Sequence, residues 1–281
     1  MIKLFASDLD GTLLNAVHQV DRKIVRCLRE VTAAGAHVAV ATGRTMRSPD
    51  EFGFAPVDIE AVCANGSIIL DRAGRVIRHR AIDPAFLEDM IRAFPQACFE
   101  CVGLDATYVT GTPAERAAGF ARDSLGMRIV MAGMRRRAMA AASGYLYEQP
   151  ASVICARDIC KVNTRVTDPA LDRELQAYLD DHADVAVNAP FNPVMFEITA
   201  AGVDKGEAVA WLAGHLGVGA DEVAVYGDGG NDIAMLARFG HAYATRNGSD
   251  AAKRAAGSVI GCCASHAVPR HMVRTVRDQR A

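Results

Sequence analysis

Apolar residues along this chain fall in short blocks separated by turn residues, and the blocks alternate between strand-like and helix-like spacing. Ile2–Ala6 is short and mostly apolar, reads as a buried strand, and ends at Asp8-Leu9-Asp10-Gly11-Thr12-Leu13-Leu14. Asp21 can cap a helix running to about Ala34, with Ile24, Leu28 and Val31 on one face and Gly35 as its stop. Ala36–Ala41 is a second strand pattern, closed by Thr42-Gly43-Arg44. Glu60–Ala64 is a third, closed by Asn65-Gly66, and Ser67–Arg80 alternates about a turn at Asp71–Gly74 as a hairpin does. The order strand, helix, strand, helix, strand predicts a parallel sheet with crossover helices.

Near Asp83-Pro84 the pattern changes. A helix is expected over Ala85–Phe94, extended pieces at Cys98–Val102 and near Tyr108, and a helix over about Ala114–Leu125. Met131–Ser143, rich in Ala, Met and Arg, predicts no definite element. Strands follow at Ala151–Ala156 and Lys161–Val166, a helix at Pro169–His182, and strands at Asp184–Asn188 and Met195–Thr199. This mixture reads as a separate α+β module. Ala200–Asp204 is a return linker, and Lys205-Gly206 opens a helix whose buried stripe is Val209, Leu212, Ala213 and Leu216. Val223–Tyr226 is a strand ending at Gly227-Asp228-Gly229-Gly230-Asn231-Asp232, with a helix from Ile233. Gly240–Thr245, a short helix near Ala251–Ala256, a short strand at Val259-Ile260 and a helix around Val268–Val276 complete the chain. The expected fold class is α/β: a Rossmann-like parallel-sheet core over residues 1–82 and 200–281, with an inserted α+β domain over 83–199.

The chemistry-bearing residues gather where those strands end. Asp8 and Asp10 are two apart on an extended backbone, so their side chains point the same way. Close carboxylates repel and call for a cation or a shared proton. Oxygen donors without imidazole or thiolate suit Mg²⁺. With such a cation, one carboxylate can attack an electrophile such as phosphorus while the other moves a proton. Thr42-Gly43 offers a hydroxyl and backbone N–H groups beside a helix start, a seat for phosphate, and Arg44 could add charge. Lys205 breaks the usual preference for acids in a first helical turn, and local rules are often broken for function. Asp228, Asn231 and Asp232 add two acids and an amide at another strand end. Taken singly, each of these has a plainer reading: a solvated acidic turn, a strand-to-helix turn, a surface lysine, a helix cap.

A chain of 281 residues is long enough for one large or two ordinary domains. A net charge of -2 gives no electrostatic case for nucleic acid or an acidic membrane. No run approaches the ~20 apolar residues of a membrane span, and the first residues read as a core strand rather than a signal peptide. The eight cysteines are too sparse for a disulfide framework. The expectation is a cytoplasmic protein with reduced thiols, monomeric or homodimeric.

Together the four loops resemble the haloacid dehalogenase-like superfamily, and in detail its Cof-type branch with a type-IIB cap. Asp8–Leu14 (DLDGTLL) is similar to the first motif, Ala41–Arg44 (ATGR) to the second, Asp204–Leu212 (DKGEAVAWL) to the third and Gly227–Leu236 (GDGGNDIAML) to the fourth. Asn65-Gly66-Ser67 is similar to the branch's Asn-Gly ahead of the hairpin. The resemblance implies a Mg²⁺-dependent phosphatase acting on a small phosphomonoester, a sugar phosphate or a phosphorylated cofactor. Asp8 would be the nucleophile that forms an aspartyl-phosphate, and Asp10 the acid and base. Asp8, the Asp10 backbone carbonyl and Asp228 would hold the metal. Thr42, Gly43, Lys205 and Asn231 would bind the phosphoryl group, Arg44 and Asn65 would stand beside the substrate, and Asp232 would orient Lys205 or a metal-bound water. The resemblance also implies a lid-like inserted domain that selects the substrate. One departure is Ser265-His266, where the branch carries an acidic pair.

Three rivals follow from the same residues. A phosphosugar mutase of the phosphomannomutase type would use the same Asp8 and Asp10, with cap arginines such as Arg116, Arg122, Arg157 and Arg165 for a second phosphate. A zinc site could be assembled from Cys98, Cys101, Cys155 and Cys160, against which stand the odd spacing and the opposite faces of Cys98 and Cys101. A purely binding homologue is disfavoured because all four motifs keep their reactive side chains.

Overall fold

The computed structural model describes residues 1–46, 51, 53–55, 57–122, 144–189 and 195–280. The chain divides into two compact units: Met1–His79 with Gly202–Ala281, and Arg80–Ala201.

The first unit is built on β1 (Leu4–Ser7), α1 (Arg22–Ala33), β2 (His37–Ala41), β3 (Glu60–Cys63), β4 (Ile68–Leu70) and β5 (Val76–His79). In the second unit follow α2 (Pro84–Ala93), β6 (Glu100–Gly103), β7 (Thr107–Val109), α3 (Pro113–Ala118), β8 (Tyr145–Leu146) and α4 (Ala151–Ile154). That unit closes with β9 (Ile159–Thr164), α5 (Pro169–Asp181), β10 (Ala186–Asn188) and β11 (Phe196–Ala200). The chain then returns to the first unit through α6 (Lys205–His215), β12 (Val223–Gly227), α7 (Ile233–Arg238), β13 (His241–Thr245), α8 (Asp250–Ala256), β14 (Val259–Ile260) and α9 (Ala267–Asp278).

In the first unit eight strands form one sheet in the order β14-β13-β12-β1-β2-β3-β4-β5. All pairs from β14 to β3 are parallel, and the β4–β5 hairpin adds antiparallel strands at one edge. Residues of β1, β12 and β3 are buried throughout, as befits parallel strands covered on both faces. Alternation sorts them. Leu4 and Ala6 share one face with Val223 and Val225, and this face meets Val209 and Leu212 of α6 and Met235 and Leu236 of α7. Fully burying each such Val or Leu contributes about 1.5–3 kcal/mol. On α1 the buried residues are Ile24, Leu28 and Val31, and the helix packs against α9, which buries Val268, Met272 and Val276. In register, Ser7 of β1 stands beside Tyr226 of β12 and Val40 of β2. The carboxyl ends of these three strands therefore deliver their following loops to one place.

The second unit has six strands in the order β10-β11-β9-β6-β7-β8, antiparallel except for the β7–β8 pair. Phe86 of α2 stacks on Tyr178 of α5, with ring centroids 5.8 Å apart. The α/β fold class with an inserted α+β unit is as read from the chain, with local corrections. The strand expected at Ala151–Ala156 is instead the short helix α4, begun by Pro150. Its apolar run is too short to separate strand from helix by period, and only Ile154 is buried while Val153 is exposed. The helix expected over Ala114–Leu125 is α3 followed by a 3₁₀ turn at Gly119–Arg122. Of the stretch between Arg44 and Glu60, where a helix is expected, residues 47–50, 52 and 56 lie outside the described ones, as does all of 131–143.

Candidate active site

Asp8 is the first residue past β1, and its N–H donates to the Tyr226 carbonyl at 2.9 Å, one last rung of the ladder. The chain then turns over Leu9–Leu13, closed by Leu13 N–H to Asp8 O at 3.1 Å and Leu14 N–H to Leu9 O at 2.9 Å. Gly11 sits in this turn at φ +80°, where an added Cβ would lie 2.3 Å from Asp228 Oδ2. Glycine is therefore required twice, by its left-handed backbone and by the close carboxylate. Thr12 Oγ1 donates to Asp228 Oδ1 at 2.7 Å, joining the turn to the loop after β12.

Lys205 is the first residue of α6, whose cap Asp204 accepts from the Glu207 N–H at 2.9 Å. Its ammonium has no solvent exposure and donates to Asp8 Oδ1 at 2.6 Å and Asp232 Oδ1 at 2.7 Å. The other oxygen of Asp232 accepts the N–H groups of Asp228 and Gly229, each at 2.9 Å. Asp232 thus orders the loop and holds the lysine. It does not cap α7 with its side chain.

The electrostatics are those of a crowded anionic pocket. Burial pushes the Asp8 carboxyl well above its ordinary range, Lys205 opposes this, and Asp232 and Asp228 add to it. Asp228 is pushed up to about 6 by burial, with the Thr12 hydrogen bond opposing and Asp232 adding. Burial alone would lower the Lys205 ammonium, but Asp232 and Asp8 outweigh it and drive it upward, so it stays charged.

On β2 the loop begins at Thr42, whose N–H donates to Val62 O at 2.8 Å and whose Oγ1 accepts the Arg44 N–H at 3.1 Å. Asn65 follows β3 at φ +58°, a left-handed conformation that asparagine tolerates, and its N–H donates to Thr42 O at 3.0 Å. Its Oδ1 accepts from Asn231 Nδ2 at 3.2 Å, while its Nδ2 is buried without a hydrogen-bond partner among the described residues. A Cβ on Gly43 would lie 2.8 Å from Asn65 Oδ1, so Gly43 admits this approach. Thr42, Gly43, Asn65 and Asn231 are therefore one connected group.

Asp10 faces another way from the lysine cluster. Its Oδ2 accepts Arg44 Nε at 2.7 Å, its Oδ1 accepts Arg44 Nη2, and His18 Nδ1 stands 3.0 Å from Oδ1. Arg44 thus directs its guanidinium at Asp10. Among the described residues, the acidic group whose ligand oxygens lie within 4.8 Å of one another is Asp8, Asp228 and Asp232, without the Asp10 side chain. Sequence reasoning did not single out His18, nor the buttress of Gly11, whose carbonyl accepts Thr245 Oγ1 at 3.2 Å and Asn247 Nδ2 at 2.7 Å. Asn247-Gly248, directly after β13, is the turn-forming pair that places this amide.

A family model described as haloacid dehalogenase-like hydrolase matches residues 5–272. The phosphatase YwpJ of Bacillus subtilis (strain 168) is 26% identical over 287 residues, covering 97% of this chain and 99% of that protein. The crystal structure of TM0651 from Thermotoga maritima superposes with a TM-score of 0.80 at 22% identity, covering 98% of this chain and 97% of that one. That of the HAD subclass IIB sugar phosphatase BT4131 does so with a TM-score of 0.73 at 17% identity, covering 97% and 98%. These last two share the fold. The chain belongs to the haloacid dehalogenase-like hydrolase family and is an enzyme of its phosphatase class.

Proposed function

We propose that this enzyme hydrolyses a small soluble phosphomonoester through an aspartyl-phosphate on Asp8, with Mg²⁺ as its metal. The observation that carries the reading is the buried Lys205 bridge, which holds one Asp8 oxygen and, among the described residues, leaves Oδ2 without a hydrogen bond. That oxygen attacks phosphorus in line with the leaving oxygen. Asp10 gives a proton to the leaving alcohol, then takes one from the water that attacks phosphorus and frees Asp8. An ammonium has three donors, and two of those on Lys205 are engaged by carboxylates, so one is left for a phosphoryl oxygen. Thr42, the Gly43 N–H and Asn231 complete the cradle, and the unpartnered buried Asn65 Nδ2 is a further donor to it. Fixed donors of this kind stabilise the charge that develops in phosphoryl transfer.

The donor set fits a hard divalent cation. Two buried carboxylates hold one ammonium and a third, half-buried, brings its ligand oxygen within 4.8 Å of theirs, and such oxygens are the hard ligands that Mg²⁺ prefers. Asp232 has both oxygens engaged, so Asp8 and Asp228 are the carboxylates left to hold the metal, with the Asp10 carbonyl as a further ligand. When bound, Mg²⁺ offsets the negative charge of the nucleophile and of the phosphoryl group.

Sugar phosphates are the first substrate choice and phosphorylated cofactors the second. A protein of the same fold, BT4131, is described as a sugar phosphatase. The test is phosphate release from p-nitrophenyl phosphate and a panel of sugar and cofactor phosphates, with Mg²⁺ and with EDTA, beside Asp8→Asn. Mg²⁺-dependent release that Asp8→Asn abolishes supports the reading. Isomerised sugar phosphate without phosphate release would replace it with a mutase.

A further inference from the structure

β13 and β14 run parallel, with Thr245 opposite Ile260. The residues just past their carboxyl ends are therefore neighbours, Asn247 on one side and Cys262 and Cys263 on the other. The Cys263 N–H donates to Asn247 Oδ1 at 3.0 Å, and Asn247 Nδ2 donates to the Gly11 carbonyl at 2.7 Å. The loop after Asn247 also holds Asp228, whose carbonyl accepts the Ser249 N–H at 2.9 Å. The peptide unit between Cys262 and Cys263 thus supports the turn that presents Asp8 and Asp10. Both of its polar groups are engaged. Its N–H meets Asn247, and its carbonyl accepts the Ser265 N–H at 3.0 Å and Ser265 Oγ at 2.8 Å.

Two adjacent cysteines flank this peptide. Both are free and half-buried, within reach of a small molecule, and their thiols stand close enough to hydrogen-bond. Burial first, and then the Cys262 thiol, hold the Cys263 thiol above its ordinary value and keep it protonated. The peptide bond sets the two Cα atoms about 3.8 Å apart. That is short of the roughly 4.4–6.8 Å of ordinary disulfides. A disulfide here closes a small ring that contains the peptide, and the ring closes only as that peptide reorients. Its N–H then leaves Asn247, and Asn247 loses the contact that aims its amide at Gly11. Strained disulfides are the readily reduced ones, so the change is reversible.

We propose that Cys262 and Cys263 are a modification site for peroxides, where closure of a disulfide between them releases Asn247 and lowers turnover. The effect on turnover rests on the phosphatase reading above, and the disulfide itself does not. In the first step the Cys262 sulfur bonds to one peroxide oxygen, the O–O bond breaks, and the thiol proton leaves with the other oxygen as water. In the second the Cys263 sulfur bonds to the Cys262 sulfur, the S–O bond breaks, and the Cys263 proton leaves with that oxygen as water. The two thiols together give up two electrons, and the peroxide takes them.

The test treats the wild type, Cys262→Ser, Cys263→Ser and Asn247→Ala with hydrogen peroxide and then dithiothreitol. Turnover of p-nitrophenyl phosphate is read beside peptide mass spectrometry. In the wild type the peptide holding Cys262 and Cys263 is expected to lose two hydrogen atoms while kcat/KM falls about tenfold or more, and dithiothreitol should restore both. The serine variants keep the backbone N–H and should hold the untreated wild-type rate throughout. Asn247→Ala should start at the lowered rate and fall no further. No disulfide between the two cysteines, a disulfide with an unchanged rate, an equal loss in the serine variants, or a further fall in Asn247→Ala would overturn the proposal. A folded wild type with no release before peroxide would overturn the phosphatase reading, and the mass change would still decide whether the site exists.

Discussion

Lys205 Nζ stands 2.6 Å from Asp8 Oδ1 and 2.7 Å from Asp232 Oδ1, with no exposure to solvent. Removing one partner of such a buried set leaves uncompensated charge, which costs about 3–5 kcal/mol. Lys205→Ala is expected to lose that much stability in urea unfolding and to lose phosphate release by at least about 10²-fold. Adding Asp232→Asn should return part of the stability, because one stranded carboxylate is gone, and none of the activity.

Gly11→Ala tests the turn that presents Asp8 and Asp10. The added methyl would lie 2.3 Å from Asp228 Oδ2 at a backbone φ of +80°. Both the strain and the clash act against folding, so a loss of more than about 1 kcal/mol is expected, with phosphate release falling as Asp228 is displaced. Thermal denaturation and phosphate assay on the same preparation check the two together.

Much of this arrangement was readable before the structure. Apolar runs ending at Asp8, Thr42 and Asp228 located β1, β2 and β12, because a parallel strand buried on both faces leaves an unbroken apolar run. Lys205 stood out because a cation in the first turn opposes the helix dipole, and its two carboxylate partners explain the exception. The run at Ala151–Ala156 reads as a strand but holds the helix α4, because so few residues carry its period. His18 left no trace in any pattern. Its contact with Asp10 depends on one left-handed residue in an Asn-built turn, and the hydrophobic spacing of a chain does not encode backbone handedness.

Asp21 gives an acid-side test. Burial works against its carboxylate, but hydrogen bonds from His266, the Ile24 N–H and Asn15 outweigh that and hold it well below the usual carboxylate range. A depressed folded value means that its contribution is complete above its ordinary value of 3.8 and is lost as pH falls through the lower folded one. Asp21→Ala should cost about 1–2 kcal/mol at neutral pH as a lost helix cap. The gap between wild type and variant should narrow below pH 3.8, as followed by urea unfolding at a series of pH values.

Metal removal should be felt in stability as well as in activity. A ligand that binds only the folded protein stabilises it by about 2.7 kcal/mol at a hundred times its Kd. Mg²⁺ is expected to raise the Tm of the EDTA-treated wild type, and to do so much less in Asp228→Asn, which lacks one of the carboxylates of the acidic group. An equal rise in both would remove Asp228 from the ligand set.

The central claim is that Asp8 becomes phosphorylated during turnover. The direct measurement is an acid quench of the wild type in steady-state turnover of p-nitrophenyl phosphate, followed by peptide mass spectrometry. The account predicts a phosphoryl group on Asp8 within the Asp8–Leu14 segment, absent from Asp8→Asn, which should also release no phosphate. Turnover at an undiminished rate in Asp8→Asn, or a phosphoryl group on another residue and none on Asp8, would contradict it.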